Sequence, residues 1–258
     1  MLSKNKQSFI RSLHQKKFRD IEGSFIAEGM KVVSELLHAA YRIQLIAGTE
    51  EALNTFSSED LDRAEEVIVV SVNDLEKITA LTTPQDVLAV AVIPEHEFNA
   101  EQLKEGISIM LDDVRDPGNM GTIIRIAHWF GARQVICSTN SVDAYNPKVV
   151  QSSMGSLFHV PVHSLDLESV LDEIKPMKVP VCSAVMNGQN LFEAALPQNG
   201  LYVFGNESIG IRSSITAMTT LGLTIPSFEL QSGNRPESLN VAVSAAIMMA
   251  EIRKRKGR

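Results

Sequence analysis

The sequence predicts an α/β protein: a mostly parallel sheet covered by helices on both faces, preceded by a smaller α/β unit. Three observations carry this. From residue 107 onward, strand-like and helix-like segments alternate six times over, the pattern of a parallel sheet with covering helices. The first ninety-odd residues hold two helical patterns and three short β-rich runs. Between them "PEHEFNAEQLKEG" (94–106) is polar, acidic and opened by proline, as linkers are. The boundaries drawn are a first domain at 1–95, a linker at 96–106 and a second domain at 107–258.

Composition bounds the reading. Apolar residues make up 44 % of the chain and charged residues 21 %, ordinary for a globular protein. No apolar run reaches the roughly 18–20 residues that span a bilayer, and the polar, basic start "MLSKNKQSFIRSLHQKK" has no apolar stretch behind it. A cytoplasmic protein without membrane association is expected. Cys137 and Cys182 sit in apolar, strand-like segments without ligand spacing, so they read as reduced core cysteines, and no metal site is expected. The net charge is −7, but residues 1–31 hold seven Lys/Arg against three Asp/Glu, and the tail "RKRKGR" adds five more positive charges. Basic ends on an acidic body can grip nucleic-acid phosphates or simply lie in solvent.

In chain order, "KQSFIRSLHQKKFRD" and "SFIAEGMKVVSELLHAA" show 3.6-residue apolar periodicity and read as two helices. "RIQLIAG", "EEVIVVS" and "DVLAVAVI" read as strands. In the second domain the strand candidates are "ISIMLDDV", "QVICS", "FHVPVH", "VPVCSAV", "LYVFGN" and "LGLTIP". Asn146-Pro147 and Asp166 mark helix starts between them.

Three loops that follow strands carry the chemistry-bearing residues. In "DDVRDPGNMGTIIRIAHWFGA", Pro117-Gly118 reads as a turn and the helix as running from about Gly121 to Phe130, stopped by Gly131. Thr122, Arg125 and His128 share one face of that helix. Residue type alone leaves Arg125 open between a solvent-facing cation and a group aimed at a ligand. In "LYVFGNESIGI" an apolar strand runs into Gly205, Asn206 and Glu207; glycine there permits close approach to the backbone. In "TIPSFELQSGNRPESLNVAVSAAIMMAEIRKRK" Ser238 stands where a helix N-cap belongs. The helix after it is apolar nearly all round, so it must be buried, against the sheet or against a second subunit.

The order "GNMGTIIRIA", "FGNESIGI", "IPS…ESLNVAVSAAI" resembles the three motifs of the SpoU/TrmH family of RNA ribose 2′-O-methyltransferases, over residues 108–255. The region before it, with "SKNKQSFIRSLHQKKFRD…SFIAEGMKVV" and "TTPQDVLAV", is similar to the RNA-binding domain that many members carry. The resemblance implies a SPOUT fold with a C-terminal deep trefoil knot, S-adenosylmethionine as cofactor, a homodimer with sites shared between subunits, and structured RNA, ribosomal rather than transfer, as substrate. Carried over by position, cofactor contacts fall on Gly205, Asn206, Ile225 and Leu239. The polar constellation falls on Asn119, Arg125, Glu207, Ser238 and Asn240, with Arg125 as the catalytic arginine. RNA contacts are expected at Lys4, Lys6, Arg11, Lys16, Lys17 and Arg19. Two departures stand out: Ser208 where glycine is frequent, and a longer stretch from Ser227 to Glu237. The alternative is a non-catalytic RNA-binding or ribosome-assembly protein on the same fold. A Rossmann dehydrogenase would need GxGxxG and an acidic residue about twenty positions on; "GNMG" and "GARQVICS" supply neither.

Overall fold

The computed structural model describes residues 2–228 and 238–254. Most of the long loop expected between Ser227 and Glu237, and the end of the basic tail, lie outside them. The chain forms two compact units: residues 1–95 with 143–159, and residues 96–142 with 160–258. The segment 143–159 follows a strand of the second unit yet packs with the first.

The first unit runs α1 (Lys4–Ser12), α2 (Lys16–Glu22), β1 (Ser24–Glu28), α3 (Met30–His38), β2 (Ile43–Gly48), single-turn helices α4 (Glu50–Leu53) and α5 (Ser58–Leu61), β3 (Val67–Val69), α6 (Val72–Glu76) and β4 (Val87–Val92). Its sheet has the order β1-β4-β2-β3. β4 is antiparallel to β1 and β2, and β3 runs parallel to β2. The two helices read from periodicity are each divided. The first breaks at His14-Gln15 into α1 and α2. The second holds a strand and a helix, because Ser24–Glu28 is buried at every position and Gly29 turns the chain with φ +90°. That φ suits glycine and stops a helix from running through. Ile10, Leu13, Ile26, Leu45, Leu75, Leu88 and Val90 build the core.

Arg19, expected to contact RNA, is 1 % exposed. Its Nε and Nη2 donate to Asp143 Oδ2 at 2.9 and 2.6 Å, and its Nη1 donates to the carbonyls of Leu13 and His14 at 2.8 and 3.0 Å. A guanidinium with these donors spent inside the protein is structural. It holds the 143–159 segment, whose Tyr145 and Phe158 pack with Phe25 and Tyr41 in one aromatic cluster. Lys6 pairs with Glu66. Lys4, Arg11, Lys16 and Lys17 remain exposed.

In the second unit α7 (Gln102–Glu105), β5 (Ile107–Asp112), α8 (Pro117–Trp129) and β6 (Val135–Ser138) precede the excursion. That excursion holds α9 (Pro147–Ser153). Then follow β7 (Val162–Leu165), α10 (Leu167–Ile174), β8 (Val181–Asn190), β9 (Gly200–Gly205), α11 (Ser213–Thr216), β10 (Leu221–Thr224) and α12 (Val241–Lys254). The six strands align all-parallel in the order β10-β8-β9-β5-β6-β7. All six candidates lie in this sheet; "FHVPVH" becomes a strand only from Val162, since Phe158 ends a short 3-10 turn. Met110, Ile136, Val181, Leu201 and Val203 pack against α7, α10 and α11. Ile109, Leu111, Tyr202 and Phe204 are equally buried on the opposite face, where α8 and α12 pack together and α12 meets β9. Leu103, in the stretch read as linker, joins this core through α7.

Cys137 and Cys182 are free and buried; burial pushes their thiols up to about 12 and about 11. Among the described residues no helix is long and apolar enough to cross a membrane.

Arg19→Ala leaves the part-buried Asp143 carboxylate without its cation, and Asp143→Ala leaves the buried Arg19 guanidinium without its ion pair. Each is expected to lower the unfolding free energy by about 3–5 kcal/mol in urea titrations. A loss under about 0.5 kcal/mol would contradict the structural role given to the pair.

Candidate active site

In a doubly wound parallel sheet, ligands sit where the chain leaves adjacent strands in opposite directions, at their carboxyl ends. Here that crevice lies between β5 and β9. Onward from β5 the sheet grows through β6 to β7, while β8 and β10 lie beyond β9. The last residues of the two strands, Asp112 and Gly205, are partners in register, so the loops that leave them start side by side.

The loop after β5 is shorter than its sequence implies. Asp116 caps α8, its Oδ1 accepting the Asn119 N–H at 2.8 Å, and Pro117 is the first helical residue. The expected Pro-Gly turn is therefore the first turn of the helix. Proline is at home there because its missing N–H would have no intrahelical acceptor. The signal was present as Asp-Pro, a cap followed by proline. At the other end Gly131 takes φ +63° just beyond the helix, as its position implies. Asn119 is thus brought to the amino end of α8. Thr122, Arg125 and His128 lie exposed along it, while Ile123, Ile124 and Ala127 are buried. Asp113, before the cap, is buried with φ +59°. Its amide donates to Ser138 Oγ at 2.9 Å, and its carboxylate accepts Arg115 Nε at 2.8 Å.

The loop after β9 folds back on itself. A Cβ at Gly205 would lie 2.3–2.4 Å from the Gly210 carbonyl and the Ile211 nitrogen, so only glycine fits. Asn206 and Gly210 exchange backbone hydrogen bonds of 3.1 and 2.9 Å. The Asn206 carboxamide accepts from the Ser208 and Ile209 amides at 2.8 and 3.3 Å and donates to the Asp113 carbonyl at 2.9 Å. Glu207 and Ser208 are left exposed.

The third segment begins with Ser238, Leu239 and Asn240, all exposed. The cap of α12 is Asn240 rather than Ser238: its Oδ1 accepts the Ala242 and Val243 amides at 2.9 and 3.3 Å. An asparagine one residue before the apolar run serves as well as a serine. Ser244, one turn on, donates its amide to the Asn240 carbonyl. Ile225 follows the end of β10 and is half-buried.

A single relay joins the three segments. Asn240 Nδ2 donates to Asn119 Oδ1 at 2.9 Å, and Asn119 Nδ2 donates to Glu207 Oε1. Residues 119, 207 and 240, far apart in sequence, meet side chain to side chain. Arg125 stands outside the relay, exposed and without an ion pair among the described residues. Asp112 and Arg212, which the motifs do not single out, bond to one another.

A parallel α/β sheet with a polar relay at its switch point has the build of a ligand-binding enzyme domain. The chain belongs to the SpoU rRNA methylase family, whose profile matches residues 106–250. Residues 5–89 match the MRM3-like substrate binding domain. The chain is 34 % identical over 244 residues to the 23S rRNA (guanosine(2553)-2′-O)-methyltransferase RlmP of Bacillus subtilis, covering 94 % of each chain. A putative RNA methyltransferase of the TrmH family from Porphyromonas gingivalis superposes with TM-score 0.86 at 40 % identity, over 99 % of both chains. An AdoMet-bound rRNA methyltransferase from Sinorhizobium meliloti superposes with TM-score 0.85 at 26 % identity, over 100 % of this chain and 97 % of that one.

Asn240→Ala removes both the cap and the link to Asn119. It is expected to cost about 1 kcal/mol of stability, while Ser238→Ala stays within about 0.5 kcal/mol of the parent. Urea titration of the two variants checks the assignment of the cap.

Proposed function

We propose that this protein transfers a methyl group from S-adenosylmethionine to a ribose 2′-hydroxyl of ribosomal RNA, working in the cytoplasm where ribosomes are assembled. The observation that carries the reading is the Asn240–Asn119–Glu207 relay, which unites the three motif segments at the switch point.

The residues present suit the cofactor. Beside the polar relay, Ile209 and Leu239 present apolar side chains that are 68 % and 47 % exposed, a fit for an adenosine and a methionyl chain. Glu207 supplies an exposed carboxylate, the charge that a cationic sulfonium calls for. Gly205, Asn206, Ile225 and Leu239 are the residues that would hold it, largely through backbone. When bound, S-adenosylmethionine supplies an electrophilic methyl group on a cationic sulfur.

What the chain itself must do is align the ribose hydroxyl and help it lose a proton. Arginine stays protonated in proteins, so Arg125 is not the base. Its role is to grip an adjacent phosphate through its forked donors and to stabilise developing alkoxide charge, the proton leaving to phosphate or water. Asn119 and Asn240 set the geometry around it, Ser238 shapes the entrance, and Glu207 holds the loops together. Lys4, Arg11, Lys16 and Lys17, with the remaining reach of Lys6, provide the phosphate contacts of the first unit. Trp129, 84 % exposed, and Val243, 47 % exposed, lie on the packed pair α8 and α12. Their apolar surface supports a homodimer in which Arg125 serves a site shared between subunits.

With labelled S-adenosylmethionine and rRNA lacking the modification, label is expected in alkali-stable dinucleotides, because a 2′-O-methyl group protects the neighbouring phosphodiester. Arg125→Lys keeps the charge and loses the fork. It is expected to lower turnover about 100-fold or more, and a wild-type rate would remove the bidentate role. Trp129→Glu is expected to shift sedimentation from dimer to monomer; a wild-type monomer would dismiss this interface.

A further inference from the structure

We propose that Asp112 and Arg212 form a clasp that sets the position of the Gly205–Ile211 loop, and so act as positioning residues for cofactor binding. The proposal deepens the functional reading above and rests on it in one respect, that this loop meets the cofactor.

The geometry is specific. Asp112 ends β5 and is 0 % exposed. Both of its carboxylate oxygens are taken by one residue: Oδ2 accepts the Arg212 backbone N–H at 2.8 Å, and Oδ1 accepts Arg212 Nε at 2.8 Å. A fully buried carboxylate demands such partners, since leaving it unpaired costs far more than the pair contributes. The arrangement therefore fixes where Arg212 stands along the chain as well as where its side chain points. Arg212 Nη1 also approaches Glu168 at 3.9 Å, and Glu168 accepts the Ser214 hydroxyl at 2.7 Å.

The loop between is a closed ring with two anchors on consecutive residues. Its start is pinned where Asn206 Nδ2 donates to the Asp113 carbonyl, and its end where Arg212 holds Asp112. The Asn206–Gly210 bridge closes the ring across its base. Glu207 projects between the anchors to meet Asn119. Without the Arg212 guanidinium, the end of the loop is held to Asp112 by a backbone N–H alone, while the Asn206–Asp113 and Glu207–Asn119 bonds persist, so local opening becomes easier from the Gly210–Arg212 end. A displacement of about 1 Å in a positioning group is enough to be felt in binding and catalysis.

The test uses the full-length protein and three measurements on Arg212→Ala and Arg212→Lys. Hydrogen–deuterium exchange is expected to speed up at least tenfold in the 206–211 amides of Arg212→Ala, with β5 and β9 unchanged. Calorimetry with S-adenosylhomocysteine is expected to show affinity weakened tenfold or more. In turnover, KM for S-adenosylmethionine rises in step while KM for rRNA holds, a split that a mere loss of folded protein would not give. Arg212→Lys, which still brings a cation to Oδ1, is expected to recover most of each effect. If Arg212→Ala does not fold, Arg212→Gln takes its place. Unchanged loop exchange, or unchanged affinity and KM, would overturn the clasp. If the wild-type chain binds no S-adenosylhomocysteine, the functional reading fails and loop exchange alone decides the clasp.

Discussion

The register of β5 against β9 is the constraint on which the site depends. Because Asp112 lies opposite Gly205 at the end of both strands, two loops of unrelated sequence leave the sheet from adjacent points. Each then supplies what the other lacks. The β9 loop has an asparagine that needs an acceptor, and the Asp113 carbonyl is one residue beyond the strand end. Asp113 takes a left-handed conformation, costly by roughly 1–3 kcal/mol for a residue other than glycine. The surrounding bonds from Ser138, Arg115 and Asn206 maintain it. Slip the register by one residue and the relay through Asn119 to Asn240 has no common origin.

Two arginines show how burial decides what a positive charge does. Arg19 lies in a basic stretch of the chain, yet its donors are consumed by Asp143 and two carbonyls. A buried cation so satisfied has nothing left for a phosphate. Arg125 lies on an otherwise apolar helix and has no ion pair among the described residues. Composition would have ranked these two in the reverse order for contact with RNA. The difference arises because Arg19 meets Asp143 across 124 positions of sequence, a pairing that no local pattern records.

The excursion 143–159 bears on how the two units are built. It belongs by sequence to the stretch matched by the SpoU rRNA methylase family, but it packs among the aromatic residues of the first unit. The first unit is thus completed by a segment borrowed from beyond β6. A boundary placed at a polar stretch cannot reveal this, since the signal for a linker is local and the packing of Tyr145 and Phe158 is not.

Much was legible without coordinates. Six strands were readable because each is a short apolar run bounded by polar turns. The three segments that the relay joins were readable because Asn119, Glu207 and Asn240 stand at fixed places in motifs that resemble a known family. What could not be read was whatever depends on a partner distant in sequence. Ser24–Glu28 became a strand because a sheet buried it on all sides, not because of its own period. The link from Asn240 to Asn119 spans 121 positions of sequence. The pairing of Asp112 with Arg212 needed the loop to close first. The chain's local chemistry set which residues could cap, turn or line a site; only the packed sheet decided which of them would meet, because hydrogen bonds across 100 residues form only after burial has brought their groups within about 3 Å.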